Sequence, residues 1–199
     1  MEIYRYFSIL AILIVWCLNG LVIYNWFNSK SLSLSLHAAA YKKAYFLFAI
    51  SLTLNAFFFF IFAQNWLTPT YSLPASFMQL CIFTLFFQLI AAWVPDIKGK
   101  LSKVHNFAAF TLAICMPIIL LFIINSLSVP VIVKAFAIGA NFVMVTELTI
   151  LLFMNKKKEH YLIYQVIYAS VFHITLLVIT FVGWTVCREM ECNQCETIV

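Results

Sequence analysis

Ionisable residues within the long apolar stretches of this sequence are the first candidates for chemistry, because a charge inside a bilayer is costly. Glu147 lies eight residues before Asn155, about 12 Å inside the end of an apolar helix. An apolar environment disfavours the charged carboxylate, so we expect the group to be protonated. It could bind a proton, a cation or a ligand. Alternatively, it is a neutral side chain hydrogen-bonded to Tyr168 or Gln165.

A histidine and an asparagine fall at similar depth in the last two apolar stretches. His173 follows the small residues Ala169 and Ser170 by about one helical turn, and Asn141 occupies the matching level of the preceding stretch. Small and hydroxyl residues in membrane helices face other helices. His173 and Asn141 could therefore line a ligand site. Alternatively, His173 has a structural role and forms an interhelical hydrogen bond to Asn141 or Asn55.

A third group is expected where the third apolar stretch ends and the fourth begins. Asp96 follows Pro95, and His105 comes after a short lysine-containing segment. A histidine near an acidic residue and three lysines could bind an anionic lipid headgroup, or it could simply contact water and headgroups at the interface. We predict that His105, Asp96 and Glu147 border one inward-opening cleft.

Two cysteines near the carboxyl end, Cys192 and Cys195, have CxxC spacing. This spacing suits a reversible redox disulfide or two metal ligands, and equally a static disulfide, an acylated thiol or no role. The sequence contains no HExxH, P-loop or nucleophile-elbow motif. We therefore assign no catalytic residue, no metal site and no cofactor.

Six apolar runs of about 20 residues or more must position these side chains, and each is long enough to cross a bilayer as a helix. They predict an all-α, polytopic six-helix bundle forming a single domain over residues 1–199. The predicted spans are 7–27, 44–64, 73–94, 104–125, 129–155 and 161–186.

Composition supports this interpretation, since 65% of the residues are hydrophobic and only 10% are charged. A soluble domain carries about 25% charged residues. Nine of the 12 Lys and Arg residues fall in alternate gaps between the runs, and three fall on the opposite side. The positive-inside bias places those lysine-rich gaps in the cytoplasm and both termini on the non-cytoplasmic side. The net charge of +5 is then a consequence of topology, and we expect no nucleic-acid partner.

Details of the loops follow from local signals. Two prolines, Pro69 and Pro74, predict a turn over 66–74, and Pro117 predicts a kink in the fourth helix. The rings of Trp66 and Tyr71 are expected at the outer interface. The segment 28–43, with lysines at both ends, is expected to contain a short interfacial element.

The segment Leu89–Asp96, followed by Val104–Phe110, resembles a six-helix membrane family known as DUF998, which is related to the Frag1/DRAM/Sfk1 group. The resemblance lies in a Pro-acidic pair ending helix three and a His-x-x-Ala start to helix four. It implies the six-helix fold and a site at His105, and it implies no particular reaction.

The function predicted from these features is the binding or movement of a lipid or small molecule within the bilayer, with membrane lipids as partners. One alternative is a membrane-embedded enzyme that uses His105 and Glu147 as an acid–base pair or the terminal CxxC for redox. Another is an accessory subunit with a membrane-protein partner. The expected location is a bacterial inner membrane, or a eukaryotic endomembrane or plasma membrane.

Overall fold

A computed structural model describes residues 2–26, 33–97, 99–153 and 161–196, without the side chains of residues 153, 161, 183, 184 and 186–196. All regular structure in these ranges is helical. A 3-10 turn, Glu2–Arg5, leads into the first helix. The α-helices are α1 (Tyr6–Asn25), α2 (Leu34–Ala39), α3 (Lys42–Phe62), α4 (Thr68–Thr70), α5 (Ala75–Trp93), α6 (Lys100–Asn125), α7 (Val131–Phe153) and α8 (Tyr161–Glu196).

Six of these segments, built on α1, α3, α5, α6, α7 and α8, are long and apolar enough to cross a membrane. Their outward faces carry large apolar side chains such as Phe107, which is 64% exposed, and Phe142, which is 74% exposed. Small residues such as Ala49, Ala92 and Ala137 are fully buried. Large residues toward lipid and small residues between helices are the arrangement that packs membrane helices closely. The chain is an integral multi-pass membrane protein, and the all-α six-helix prediction is confirmed.

The membrane helices form a ring in sequence order. Each packs on the next along the chain, from α1 on α3 through α7 on α8, and α8 returns to contact α1. The contact between α8 and α1 is the least extensive of these interfaces. Side chains that bond across it therefore matter for keeping the ring closed.

The predicted turn over 66–74 is wrong in its first half. After α3 the helix continues through a π-helical turn, Ala63–Leu67, and then through α4. Pro69 lies in α4, directly after the π-helical turn, so it does not end the helix. The chain reverses only at Tyr71–Pro74, before α5 begins at Ala75.

Trp66 and Tyr71 are buried rather than at the interface, with exposures of 2% and 0%. Trp66 stacks on Phe62 with ring centroids 5.3 Å apart and meets Tyr71 edge-on at 5.9 Å. The Tyr71 hydroxyl donates to the Ile179 carbonyl of α8 at 2.8 Å. The expectation of an interfacial position is wrong for Tyr71 because a carbonyl of α8, not water, satisfies its hydroxyl, and for Trp66 because its ring packs between Phe62 and Tyr71.

The remaining boundaries differ from the predictions at the helix ends. Helix α6 begins about one turn earlier than predicted, at Lys100, and α8 runs ten residues further, to Glu196. The interfacial element expected within 28–43 is the short helix α2. Ser33 caps it, since its side-chain oxygen accepts a hydrogen bond from the Leu36 N–H at 3.3 Å.

Candidate functional site

His173 of α8 lies beside a small cavity inside the ring. The Trp16 Nε1–H of α1 donates to His173 Nδ1 at 3.0 Å. An accepting Nδ1 means that a neutral imidazole carries its proton on Nε2. The expected partners, Asn141 and Asn55, are not the ones His173 uses, because α1 rather than α7 brings a donor to this face of α8.

The cavity beside His173 has a volume of about 30 Å³. Five of the six membrane helices line it, and α7 does not. Its polar lining consists of Ser8, Asn55, Thr84, Gln88 and His173. A space of this size has room for one or two water molecules and is too small for a lipid chain.

The amide side chains at this cavity are largely satisfied by neighbouring helices. Asn55 Nδ2 donates to the Ala11 carbonyl at 3.1 Å, and Gln88 Nε2 donates to Asn55 Oδ1 at 2.8 Å and to the Leu52 carbonyl at 2.9 Å. These bonds tie α1, α3 and α5 together. The pattern is that of interhelical hydrogen bonding in a membrane protein.

Glu147 lies on α7 and does not line this cavity. Its side chain is 8% exposed, and Oε2 is buried without a hydrogen-bond partner. Tyr168, on the adjoining helix α8, is likewise 8% exposed. However, the Tyr168 hydroxyl donates to the Ala113 carbonyl, and Gln165 accepts from the Leu34 N–H at 3.2 Å, so neither expected partner binds Glu147.

Asn141, six residues before Glu147 on α7, bonds to the backbone of α6. Its Nδ2 donates to the Pro117 carbonyl at 2.7 Å. Asn141 therefore links α7 to α6 rather than pairing with His173. Its burial is partial, and this bond accounts for its polar character within the span.

His105 sits at the start of α6 and is 4% exposed. Its Nδ1 lies 2.8 Å from the Val94 carbonyl at the end of α5. Because a carbonyl only accepts, Nδ1 is the donor in this pair. His105 thus satisfies a carbonyl that α5 leaves open at its carboxyl end, just before Pro95 stops the helix.

Asp96 joins the loop between α5 and α6 to two helices. Its Oδ1 accepts from the Ser102 hydroxyl of α6 at 2.7 Å, and its Oδ2 accepts from the Ser35 hydroxyl of α2 at 3.3 Å. The Leu34 N–H bond to Gln165 of α8 holds the other side of α2. Together these bonds dock α2 against the same end of the ring.

His37 of α2 was not among the residues expected from the sequence. Its side chain is 1% exposed, and burial lowers the pKa of the imidazole below its ordinary value. Within a short polar segment between lysines, nothing distinguished this histidine from a solvent-exposed one. Only the docking of α2 buries it.

The expected convergence of His105, Asp96 and Glu147 on one cleft is not observed among the described residues. None of the three lines the central cavity, and His173 alone of the expected site residues does. His105 and Asp96 make hydrogen bonds at the helix ends, whereas Glu147 is buried on α7 with Oε2 unpartnered.

Cys192 and Cys195 belong to the helical backbone of α8, but their side chains lie outside the description. Their predicted redox role is neither supported nor contradicted. Among the described residues, no group of three His, Cys, Asp or Glu side chains could hold a metal ion.

A larger concavity lies on the outer surface of the ring, where α6 ends. Its volume is about 730 Å³, within the range of about 300–1,000 Å³ typical of ligand sites. It is lined by Ser72, Pro74, Ile118, Leu121, Phe122, Asn125, Ser126, Leu127 and Ser128. We call this the α6 groove. The sequence did not reveal it, because it joins a helix face to two loops that are about 50 residues apart in the chain.

Comparisons of the chain with protein-family models, with curated proteins and with solved structures gave no match. The resemblance to the DUF998 family therefore stays a prediction.

Proposed function

We propose that this multi-pass membrane protein binds a lipid within the bilayer, and that the α6 groove holds it. The observation that carries the proposal is the size and chemistry of the groove. At about 730 Å³ it is far larger than the central cavity, and it opens on the lipid-facing surface.

The floor of the groove is apolar and suits an acyl chain. Ile118, Leu121 and Phe122 of α6 supply it, and Ile118 and Leu121 are 38% and 45% exposed. In a bilayer, an apolar surface of this kind is covered by hydrocarbon. A concave one holds a chain more closely than a flat helix face does, because more of its surface is in contact.

The rim of the groove is polar but uncharged. Asn125 Nδ2 is engaged with the Leu121 carbonyl at 2.8 Å, which leaves its Oδ1 as an acceptor. Ser126 donates to the Tyr71 carbonyl at 2.8 Å, and the hydroxyls of Ser72 and Ser128 also border the groove. Hydroxyl and amide groups without lysine or arginine favour the neutral glycerol and ester region of a lipid over an anionic phosphate.

The groove is closed on one side by a loop with an unusual backbone. Ser72 has a φ of 48°, the one positive φ at a non-glycine residue in the described ranges. Such conformations cost about 1–3 kcal/mol and persist where surrounding structure imposes them. The strained residue forms part of the groove wall, which supports a role for that wall beyond connecting α4 to α5.

The test uses two substitutions on the same face of α6. Ile118→Trp fills the groove, whereas Ile114→Trp, one helical turn earlier and 37% exposed, adds the same indole outside it. Full-length protein is purified in mild detergent from membranes, and co-purified lipids are quantified by native mass spectrometry. Ile118→Trp should reduce bound lipid about tenfold, the effect of about 1.4 kcal/mol, and Ile114→Trp should not. Equal lipid content in both variants would exclude the α6 groove as the site.

A further inference from the structure

We propose that Glu147 is a proton-binding site, and that its proton decides which of two acceptors the Tyr168 hydroxyl uses. The inference concerns the interface of α6, α7 and α8. It stands independently of lipid binding at the α6 groove.

The first observation is a gap in the backbone bonding of α6. Pro117 has no N–H, so the carbonyl four residues earlier, that of Ala113, loses its partner within the helix. The Tyr168 hydroxyl of α8 donates to that carbonyl. A side chain from a neighbouring helix thus completes the hydrogen bonding of α6 at its proline.

The second observation is that one oxygen of the Glu147 carboxyl group lacks a donor. Glu147 is buried at 8% exposure, and its Oε2 has no hydrogen-bond partner. A buried carboxylate oxygen without a donor is costly, while a carboxylic acid needs fewer bonds and can itself donate. The arrangement with Tyr168 on Ala113 therefore fits the protonated form of Glu147.

The third observation is that Tyr168 and Glu147 are both buried, at 8% exposure each, on helices that pack against each other. The phenol has only one O–H to donate. Hydrogen bonds to a charged acceptor are about twice as strong as those to a neutral one. When Glu147 releases its proton, its carboxylate becomes the better acceptor, and the Ala113 carbonyl loses the Tyr168 bond.

The step moves a single proton between Glu147 and water. Tyr168 keeps its own proton in both states and changes only its acceptor. The Asn141 bond to the Pro117 carbonyl does not involve this hydroxyl and persists. Deprotonation therefore frees α6 from α8 at Ala113 while α6 remains attached to α7.

Few other titratable groups face this site in the described part of the chain. Helix α7 packs on α6 and α8. From α6, the buried Cys115 thiol lies two residues after Ala113, whose carbonyl Tyr168 binds, and from α8 the group is Tyr168 itself. A pH response that requires both Glu147 and Tyr168 is thus attributable to this pair, and Cys115→Ser checks the remaining group.

Infrared difference spectroscopy of the full-length protein in lipid nanodiscs tests the inference. A pH titration should show the carbonyl band of a protonated carboxylic acid, lost as pH rises, and Glu147→Gln should remove it. In the same wild-type spectra the tyrosine C–O band should shift with the carboxyl band, and Glu147→Gln should abolish that shift. This comparison needs no substitution at Tyr168.

A matched pair of tyrosine variants adds the specificity control. Tyr168→Phe removes the donor to the Glu147 carboxylate and should raise the proton affinity of Glu147 about tenfold. Tyr164→Phe, one turn earlier on α8, should leave that affinity unchanged. The inference is overturned if no titrating carboxyl band depends on Glu147. It is also overturned if the tyrosine band is unaffected by Glu147→Gln, or if both tyrosine variants leave the titration as in the wild type.

Discussion

The indole N–H of Trp16 donates to Nδ1 of His173 at 3.0 Å, and this bond joins the first and last membrane helices. The ring centroids lie 6.0 Å apart at an interplanar angle of 75°, an edge-on contact. About two helical turns away, the Ser8 hydroxyl of α1 and the Thr180 hydroxyl of α8 form a second hydrogen bond between the same helices, at 3.1 Å. The two pairs bridge the least extensive interface of the ring.

Removal of the Trp16 indole donor should lower the free energy of unfolding, because the interface between α1 and α8 loses a hydrogen bond. Trp16→Phe and His173→Phe each remove one partner, and a double-mutant cycle should give a coupling of about 0.6–1.7 kcal/mol, as found for hydrogen bonds between membrane helices. Reversible unfolding in mixed micelles measures the free energies. Additive effects would show that the Trp16–His173 bond contributes nothing to stability.

Docking of α2 should depend on pH through His37. Burial lowers the pKa of His37, so docked α2 holds a neutral imidazole, whereas the undocked imidazole titrates near about 6.5. Stability of docking should therefore be constant at higher pH and fall as pH drops below about 6.5. Maleimide labelling of Ala38→Cys, a fully buried position, should accelerate in acid relative to the exposed position in Tyr41→Cys. With His37→Gln added, an unchanged acid acceleration would contradict this assignment.

The Asp96 carboxylate should hold α2 through Ser35. Asp96→Ala removes both acceptors and should increase hydrogen exchange of α2 amides about tenfold, in keeping with net bond energies of about 1–3 kcal/mol. Ser35→Ala should have much of this effect. Ser102→Ala, which removes only the bond to α6, is the control and should leave α2 protected. Exchange that responds equally to Ser35→Ala and Ser102→Ala would mean that Asp96 acts on the loop as a whole.

His105→Ala distinguishes a structural role from a ligand-binding role. The substitution leaves the Val94 carbonyl without its donor, and the cost should be about 1–3 kcal/mol. Thermal unfolding in detergent should show this loss, while co-purified lipid per folded protein stays unchanged. The exposed neighbour provides the control, since Asn106→Ala should change stability by less than about 0.5 kcal/mol. Loss of lipid with stability intact would instead favour the headgroup site expected from the sequence.

The orientation in the membrane remains a prediction from charge. Nine lysines fall in alternate gaps and three basic residues on the other side, so both termini should be non-cytoplasmic. Reporter fusions at Val199 and within the loop at Lys157 should give opposite signals. A cytoplasmic signal at Val199 would contradict the predicted orientation of the protein in the membrane.

Hydropathy alone determined the number and approximate location of the membrane helices. Each apolar run is continuous and long, and burial in lipid depends on local composition, so the six spans could be located without knowledge of their neighbours. The ends were less accurate. The helix continues through the π-helical turn and Pro69, although two prolines were expected to stop it, and the chain reverses only after Thr70.

The partners of the polar side chains were decided only by the tertiary structure. Glu147, His173 and Asn141 were recognisable as polar residues within apolar spans, but none makes the hydrogen bond that the sequence analysis offered for it. Successive residues of a helix point in directions about 100° apart, so a partner depends on how each helix is rotated and which helix lies beside it. Hydropathy carries little of that information when a helix is apolar on every side. The ring order and the close packing of small residues set those rotations, and they bring Trp16 to His173 and Tyr168 to Ala113.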